Sequence, residues 1–224
     1  MIQLSIWCSQ GRDNMEISDF SSYWGKLIKT QDGKWIHPDD HEVLSTNAHS
    51  FNLDFPPPAF VGDINNANII ILTANGGYDS VVTPQEFTSK DSEAKYIKRL
   101  SCPSTSDWAE IAPYYSKVNY SELLFSGRAA TVNACAYRSK KISQEPENRK
   151  IIKKLPSVAF TRKWLLECVL PSVKLGSHIV VAKRHGLWQM PKAIINSGAL
   201  IVDPAPVSPH LSKVVWAAID EYIS

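Results

Sequence analysis

Three polar clusters interrupt the apolar part of this chain, and each holds residue types that can do chemistry. The first is Asn75-Gly76-Gly77-Tyr78-Asp79. Paired glycines let a backbone turn sharply and come close to a ligand. The Asn before them can accept from and orient a water, or cap the turn. The second is Asn133, alone within Ala130-Thr131-Val132-Asn133-Ala134. A buried amide is costly unless bonded. Offering both a donor and an acceptor, it suits the edge of a pyrimidine, or else bonds neighbouring backbone. The third runs Asp203-Pro204-Ala205-Pro206-Val207-Ser208-Pro209-His210-Leu211-Ser212-Lys213. Its three prolines make a stiff loop, and Ser208 followed by Pro209 predicts a helix N-cap and first helical residue. The free N–H groups of that helix start, with Lys213 one turn on, would make a phosphate site, or merely begin a helix.

These clusters need elements to position them. Asn68-Ile69-Ile70-Ile71-Leu72-Thr73-Ala74 is a continuous apolar, β-branched run closed by Asn75-Gly76-Gly77, the profile of a strand buried on both faces. Ala129 to Ala134, His178 to Ala182 and Ala199 to Val202 read the same way. Helical spacing links Phe160, Trp164, Leu165, Cys168 and Val169, and again Leu211, Val214, Val215, Ala218, Ile219 and Tyr222. Strands alternating with helices predict an α/β chain: a three-layer α/β/α sandwich around a mostly parallel, four-stranded sheet. Ligands in such sheets bind beyond the carboxyl ends of the strands, where the polar clusters fall. Phe55-Pro56-Pro57-Pro58 reads as an extended lead-in. Residues 1–57, with Trp7, Trp24 and Trp35, show no sustained period, and are expected to pack on a single domain spanning 1–224.

Charge adds a partner class. Between Arg138 and Lys163 stand nine basic residues (Arg138, Lys140, Lys141, Arg149, Lys150, Lys153, Lys154, Arg162, Lys163) against Glu145 and Glu147, a net of +7 in a chain of +2. Such a field suggests a polyanion held through its phosphates, or a solvated face that keeps the protein in solution. No apolar run approaches the ~20 residues of a membrane span, and no secretory signal is visible, so a cytoplasmic protein is expected. Cys8, Cys102, Cys135 and Cys168 match no zinc spacing. They are expected to be free, mostly buried thiols, with no metal and no cofactor.

Taken together, these pieces resemble the uracil-DNA glycosylase superfamily. Pro58-Ala59-Phe60-Val61-Gly62-Asp63 is similar to the family's Pro-x-Phe-x-Gly-Asp lead into its first strand. Thr73-Ala74-Asn75-Gly76-Gly77 lies where many members have Gly-x-Asn-Pro-Gly, and Asn133 where a base-reading Asn ends the second strand. Asp203-Pro204-Ala205-Pro206-Val207-Ser208 parallels His-Pro-Ser-Pro-Leu-Ser. The resemblance runs from about Pro56 to the C-terminus. It implies a monomeric DNA glycosylase that hydrolyses the N-glycosidic bond of a flipped, altered pyrimidine. Asn75 would position the attacking water. Gly76, Gly77, Tyr78 and Asn133 would face the base, and Val207 would be the wedge entering the vacated stack. Ser208, Ser212, Lys213, Lys140, Lys153 and Lys154 would meet the DNA backbone.

Two positions depart from the pattern. Gly76 replaces a Pro, and Asp203 replaces the His that stabilises the departing base. Glycosidic cleavage builds negative charge on that base, which calls for a positive or hydrogen-donating group. Asp203 would then be protonated by burial, or accept from a donor on an unusual base, or yield its place to His210. These options leave three functions open. They are removal of uracil-type bases, removal of glucosylated hydroxymethylcytosine from phage DNA, and DNA binding without chemistry. A Schiff-base lysine has no apparent strand-end candidate.

Overall fold

The computed structural model describes residues 15–105 and 108–224; Trp7 and Cys8 lie outside them. A small hairpin of β1 (Ile28–Lys29) and β2 (Trp35–Ile36) precedes the main sheet. That sheet consists of β3 (Phe60–Gly62), β4 (Ile69–Gly77), β5 (Ala129–Ser139), β6 (Ile179–Ala182) and β7 (Ile201–Val202), in the order β3-β5-β4-β6-β7. Helices flank it. The mixed α/β class with a mostly parallel sheet is as the alternation predicts, but there are five strands, not four. The additional one, β3, pairs antiparallel with β5 through Phe60↔Val132 and Gly62↔Ala130. At three residues, directly after the prolines, it is too short to show any period.

The three central parallel strands, β4, β5 and β6, follow the apolar runs because each is covered on both faces, whereas β7 at the edge leaves Val202 exposed. Ile70, Leu72, Val132 and Val180 pack with Phe20, Trp24 and Trp164 on one side. Ile69, Ile71 and Val181 pack with Leu123, Leu124, Val215 and Ile219 on the other. A third cluster joins Tyr137 at the far end of β5 to Phe51, Ile152 and Val158. The segment before residue 58 contributes directly: Phe20 lies 4.4 Å from Trp164 and 5.9 Å from Phe60, ring to ring.

Two strands outrun their expected ends. β4 continues through Asn75-Gly76-Gly77 instead of turning there, and β5 continues six residues past Asn133 to Ser139. The pair stays in register from Ile69↔Ala129 to Asn75↔Cys135 and then shifts before Gly77↔Ser139. Gly76 is needed for close packing, not for a turn. A Cβ there would sit 2.4 Å from the Ala136 carbonyl oxygen and 2.8 Å from the Pro58 ring.

The helical readings hold with two changes. The segment Pro156–Trp164 widens into a π-turn at Leu165–Val169 before resuming at Leu170–Lys174. Pro171 lies in that last stretch, and a proline clashes with the carbonyl one turn earlier, which the wider turn relieves. The last helix is Lys213–Ile223, with Val215 and Ile219 buried and Val214 exposed. Its N-cap is Ser212, whose hydroxyl accepts from the Val215 N–H. Ser208 does not cap it: its hydroxyl accepts from the His210 N–H at 3.0 Å, inside the loop. No helix among the described residues is long and apolar enough to cross a membrane. Cys102 is exposed, whereas Cys135 and Cys168 are buried, and burial pushes the Cys135 thiol up to about 12.

Candidate active-site cleft

Chain order and sheet order differ at β4. The chain goes from β4 to β5 on one side, then returns to β6 on the other. Connections that leave a sheet in opposite directions open a crevice above the carboxyl ends of its strands. A cleft of about 1200 Å3 lies there. Its floor and walls include Thr73, Asn75 and Gly77 from β4, Asn133 and Ser139 from β5, Lys183 just past β6, and Pro206 to Pro209 from the last loop.

Asn75 is held by its own amide nitrogen. Nδ2 donates to the Gly76 carbonyl at 2.7 Å and to the Ser139 hydroxyl at 3.0 Å. Its Oδ1 accepts nothing among the described residues and faces the cleft. Ser139, at the end of β5, therefore sets the orientation of Asn75. The extension of β5 past Asn133 is what brings it there.

Asn133 lies in mid-strand beside Thr73 and is almost fully buried. Its Nδ2 donates to the Pro58 carbonyl at 2.6 Å, and its Oδ1 lies 2.7 Å from the Thr73 hydroxyl. An amide has two N–H groups and two oxygen lone pairs, so one of each remains for the cleft. Arg138 does a related job. Nε donates to the Pro56 carbonyl at 2.9 Å and Nη1 to the Gly77 carbonyl at 3.2 Å. Arg138 is thus buried structure and not part of a phosphate-facing surface.

Asp203 does not line the cleft. Its side chain is fully buried, with Oδ1 accepting from the Ala205 N–H at 2.9 Å and Oδ2 3.3 Å from Lys183 Nζ. Burial by itself would raise this carboxyl. The Ala205 N–H, the Ser212 hydroxyl and the Lys183 ammonium together outweigh it and hold the group below the ordinary carboxylate range. A protonated Asp203 that donates to a base, or an acceptor that touches one, is therefore corrected: Asp203 is an ionised partner of Lys183. Lys183 itself corrects a second expectation, because it is a lysine at a strand end, on the cleft wall. Its Nζ also donates to the His210 carbonyl at 2.6 Å and reaches the Ala205 carbonyl at 3.5 Å. With its protons directed at these acceptors, the amine is a fastener of the last loop. Burial lowers its pKa, and Asp203 opposes that shift.

His210 does not reach the cleft either. Its Nδ1 accepts from the Asn119 N–H at 3.1 Å, outside the cleft wall, because Asn119 also binds Leu211 through both of its amide atoms. Ser212 and Lys213 belong to the helix start, likewise outside it. Val207 stands 82% exposed on the rim. Arg184 braces it by donating to the Pro206 carbonyl at 2.8 Å and the Val207 carbonyl at 3.2 Å. Tyr78 and Ser208 complete that side.

The basic segment divides. Lys140, Lys141 and Arg149 line the cleft, and Arg149, Lys150 and Lys153 border a smaller hollow next to it. Lys154 donates to Asn47 Oδ1 at 3.1 Å, and Lys163 pairs with Glu167 at 3.8 Å. Several cleft residues carried no sequence signal. Tyr114, Tyr115 and Tyr120 form an aromatic wall, and Glu86 a buried carboxylate beside Arg138 at 3.7 Å. Burial pushes Glu86 above the ordinary carboxylate range, against the pull of Arg138. Among the described residues no three His, Cys, Asp or Glu side chains gather as a metal site needs.

No protein-family model, curated protein or solved structure matches the chain.

Proposed function

We propose that this protein is a DNA glycosylase that hydrolyses the N-glycosidic bond of a flipped, altered pyrimidine. The observation that carries the reading is Asn75. Its amide nitrogen is anchored on both sides while its oxygen accepts nothing from the described residues, the arrangement needed to accept a hydrogen bond from an attacking water and so orient it. In that reaction the water oxygen bonds to C1′ of the sugar, the bond to the base nitrogen breaks and its electron pair leaves with the base, and the proton released by the water passes to the departing base or to solvent. Asn133 retains one N–H and one lone pair for the edge of that base. Tyr114 and Tyr115, which also line the cleft, are the kind of aromatic side chain on which a flipped base stacks. Lys140, Lys141 and Arg149 at the mouth match the sign of a phosphate backbone.

The volume of about 1200 Å3 takes in the Val207 rim and the basic residues as well as the surroundings of Asn75 and Asn133, so it admits uracil and equally a pyrimidine carrying a sugar, such as glucosylated hydroxymethylcytosine. Asp203 plays no part in it, being withdrawn behind Lys183.

The deciding assay incubates the protein with oligonucleotides containing uracil or glucosylated hydroxymethylcytosine and scores alkali-labile abasic sites. Cleavage at either base supports the reading. No abasic sites with either, despite DNA binding, would replace it with a binding protein.

Ser139→Ala removes one of the two acceptors that orient Asn75. The expected result is a single-turnover rate lower by about 2- to 10-fold, the weight of one ordinary hydrogen bond, with DNA affinity unchanged. An unaltered rate would detach Ser139 from the site. For the DNA interface, Lys140→Glu with Lys141→Glu should weaken binding to all sequences. It should also reduce the slope of log affinity against log salt by about 2, since two phosphate contacts are lost. Lys154→Glu, whose ammonium is turned to Asn47, should change that slope little. Anisotropy titrations at several salt concentrations measure both, and equal effects would misplace the interface.

A further inference from the structure

Glu86 ends the short helix Val82–Glu86, which is clamped at its start. Asp79 Oδ1 accepts from the Val81 and Val82 N–H groups, both at 2.8 Å, and the Thr83 hydroxyl accepts from the Asp79 N–H at 3.0 Å. The carboxylate so positioned lines the cleft with its side chain only 9% exposed. Its one ionic neighbour among the described residues, Arg138, is 3.7 Å away, beyond hydrogen-bond distance, and spends its nearer donors on the Pro56 and Gly77 carbonyls. Among the described residues nothing donates a hydrogen bond to Glu86. An ionised carboxyl has about four acceptor positions, and those of Glu86 are open to whatever occupies the cleft. The same Arg138 guanidinium donates to the Gly77 carbonyl, and at Gly77 an added Cβ would meet no atom within 4 Å.

We infer that Glu86 is a specificity-determining residue whose carboxylate accepts a hydrogen bond from a hydroxyl or amino group carried by the base. The inference rests on the glycosylase reading and deepens it. A carboxylate in this lining repels phosphate oxygens, so Glu86 suits a neutral, donor-bearing group, while Lys140, Lys141 and Arg149 of the same cleft suit the backbone. Arg138 balances the charge of Glu86 without occupying its acceptor positions. A site built to hold a donor discriminates strongly against the analogue that lacks it, because its buried acceptor is then left unpaired.

The test uses oligonucleotides carrying one 2′-fluorinated nucleotide, which bind without being cleaved. Its base is uracil, cytosine, 5-hydroxymethyluracil or 5-hydroxymethylcytosine, so that amino and hydroxyl donors are varied separately. The wild-type protein should bind at least one donor-bearing probe about tenfold or more tighter than the uracil probe. The comparison of hydroxymethyluracil with cytosine tells which donor is read. Glu86→Gln keeps the shape and removes the charge. It should abolish most of that preference while affinity for the uracil probe stays within about twofold, with an unchanged circular dichroism spectrum. Equal discrimination by the folded variant overturns the assignment and leaves the glycosylase reading intact. So does a wild-type protein that cleaves uracil-containing DNA but ignores the added donors. A wild-type protein that prefers none of the probes and cleaves neither uracil- nor glucosylated hydroxymethylcytosine-containing DNA overturns both.

Discussion

Asn75→Ala is expected to lower the single-turnover rate of base release by about 100-fold or more while DNA affinity stays near that of the wild type. The size follows from what the side chain does on the glycosylase reading. It contributes the one open acceptor directed at the water, and a misplaced water loses both orientation and the group that takes up its developing positive charge. A factor of 100 corresponds to about 2.7 kcal/mol of barrier, the range of a well-placed polar group acting in the transition state. The fold should tolerate the change. Asn75 is only half-buried, and the Ser139 hydroxyl it abandons lines the cleft, where water can replace it. Rapid-quench cleavage under enzyme excess, beside an anisotropy titration, separates rate from affinity. A rate within a few-fold of wild type would mean that another group holds the water.

Asp203→Asn should instead be a stability mutation, costing about 3–5 kcal/mol, because it leaves the Lys183 ammonium buried without its counter-charge. The Asp203 carboxyl is held below its ordinary pKa of 3.8. A carboxyl whose folded-state pKa is depressed contributes stability that is present above the unfolded value and disappears as pH falls through the folded one. The wild type should therefore lose stability as the pH drops below about 4, and Asp203→Asn should lose less over that interval. Denaturant titrations between pH 3 and 7 measure both effects. A variant as stable as wild type at neutral pH would show that the ion pair contributes nothing net. Replacing both partners with apolar residues of similar size should recover much of the loss, since no unpaired charge then remains.

The parts of the fold that could be read in advance are those where one physical requirement dominates a run of residues. Ile69 to Leu72 must be apolar because both sheet faces are covered, so β4 was plain. β3 was not, because three residues after a proline run carry no period and its place is set by the partner strand. Strand ends were misjudged for a related reason. Asn75, Gly76 and Gly77 look like a turn by residue type, yet Gly76 is there because the Ala136 carbonyl and Pro58 crowd it. The polar residues divide similarly. Asn133 and Arg138 could be recognised as unusual, but part of their work is to satisfy carbonyls of the proline segment, 75 and 82 residues earlier. The Pro56 and Pro58 carbonyls have these side chains in place of a strand partner, since buried carbonyls must be paired somewhere. Lys183 and Glu86 had no local signature. Each becomes meaningful only through a neighbour brought in by the tertiary fold, Asp203 for the one and Arg138 for the other.

The rim that carries Val207 has one more consequence. Prolines 204, 206 and 209 restrict its backbone, Arg184 ties down two of its carbonyls, and Lys183 fastens it at Ala205 and His210. Its conformational freedom was therefore given up when the chain folded. A partner meeting Val207 meets a surface already in one shape, so little of the interaction energy is spent on ordering the loop. Encounter then resembles the docking of rigid bodies, and its speed is set by diffusion and charge instead of by a slow rearrangement of the loop.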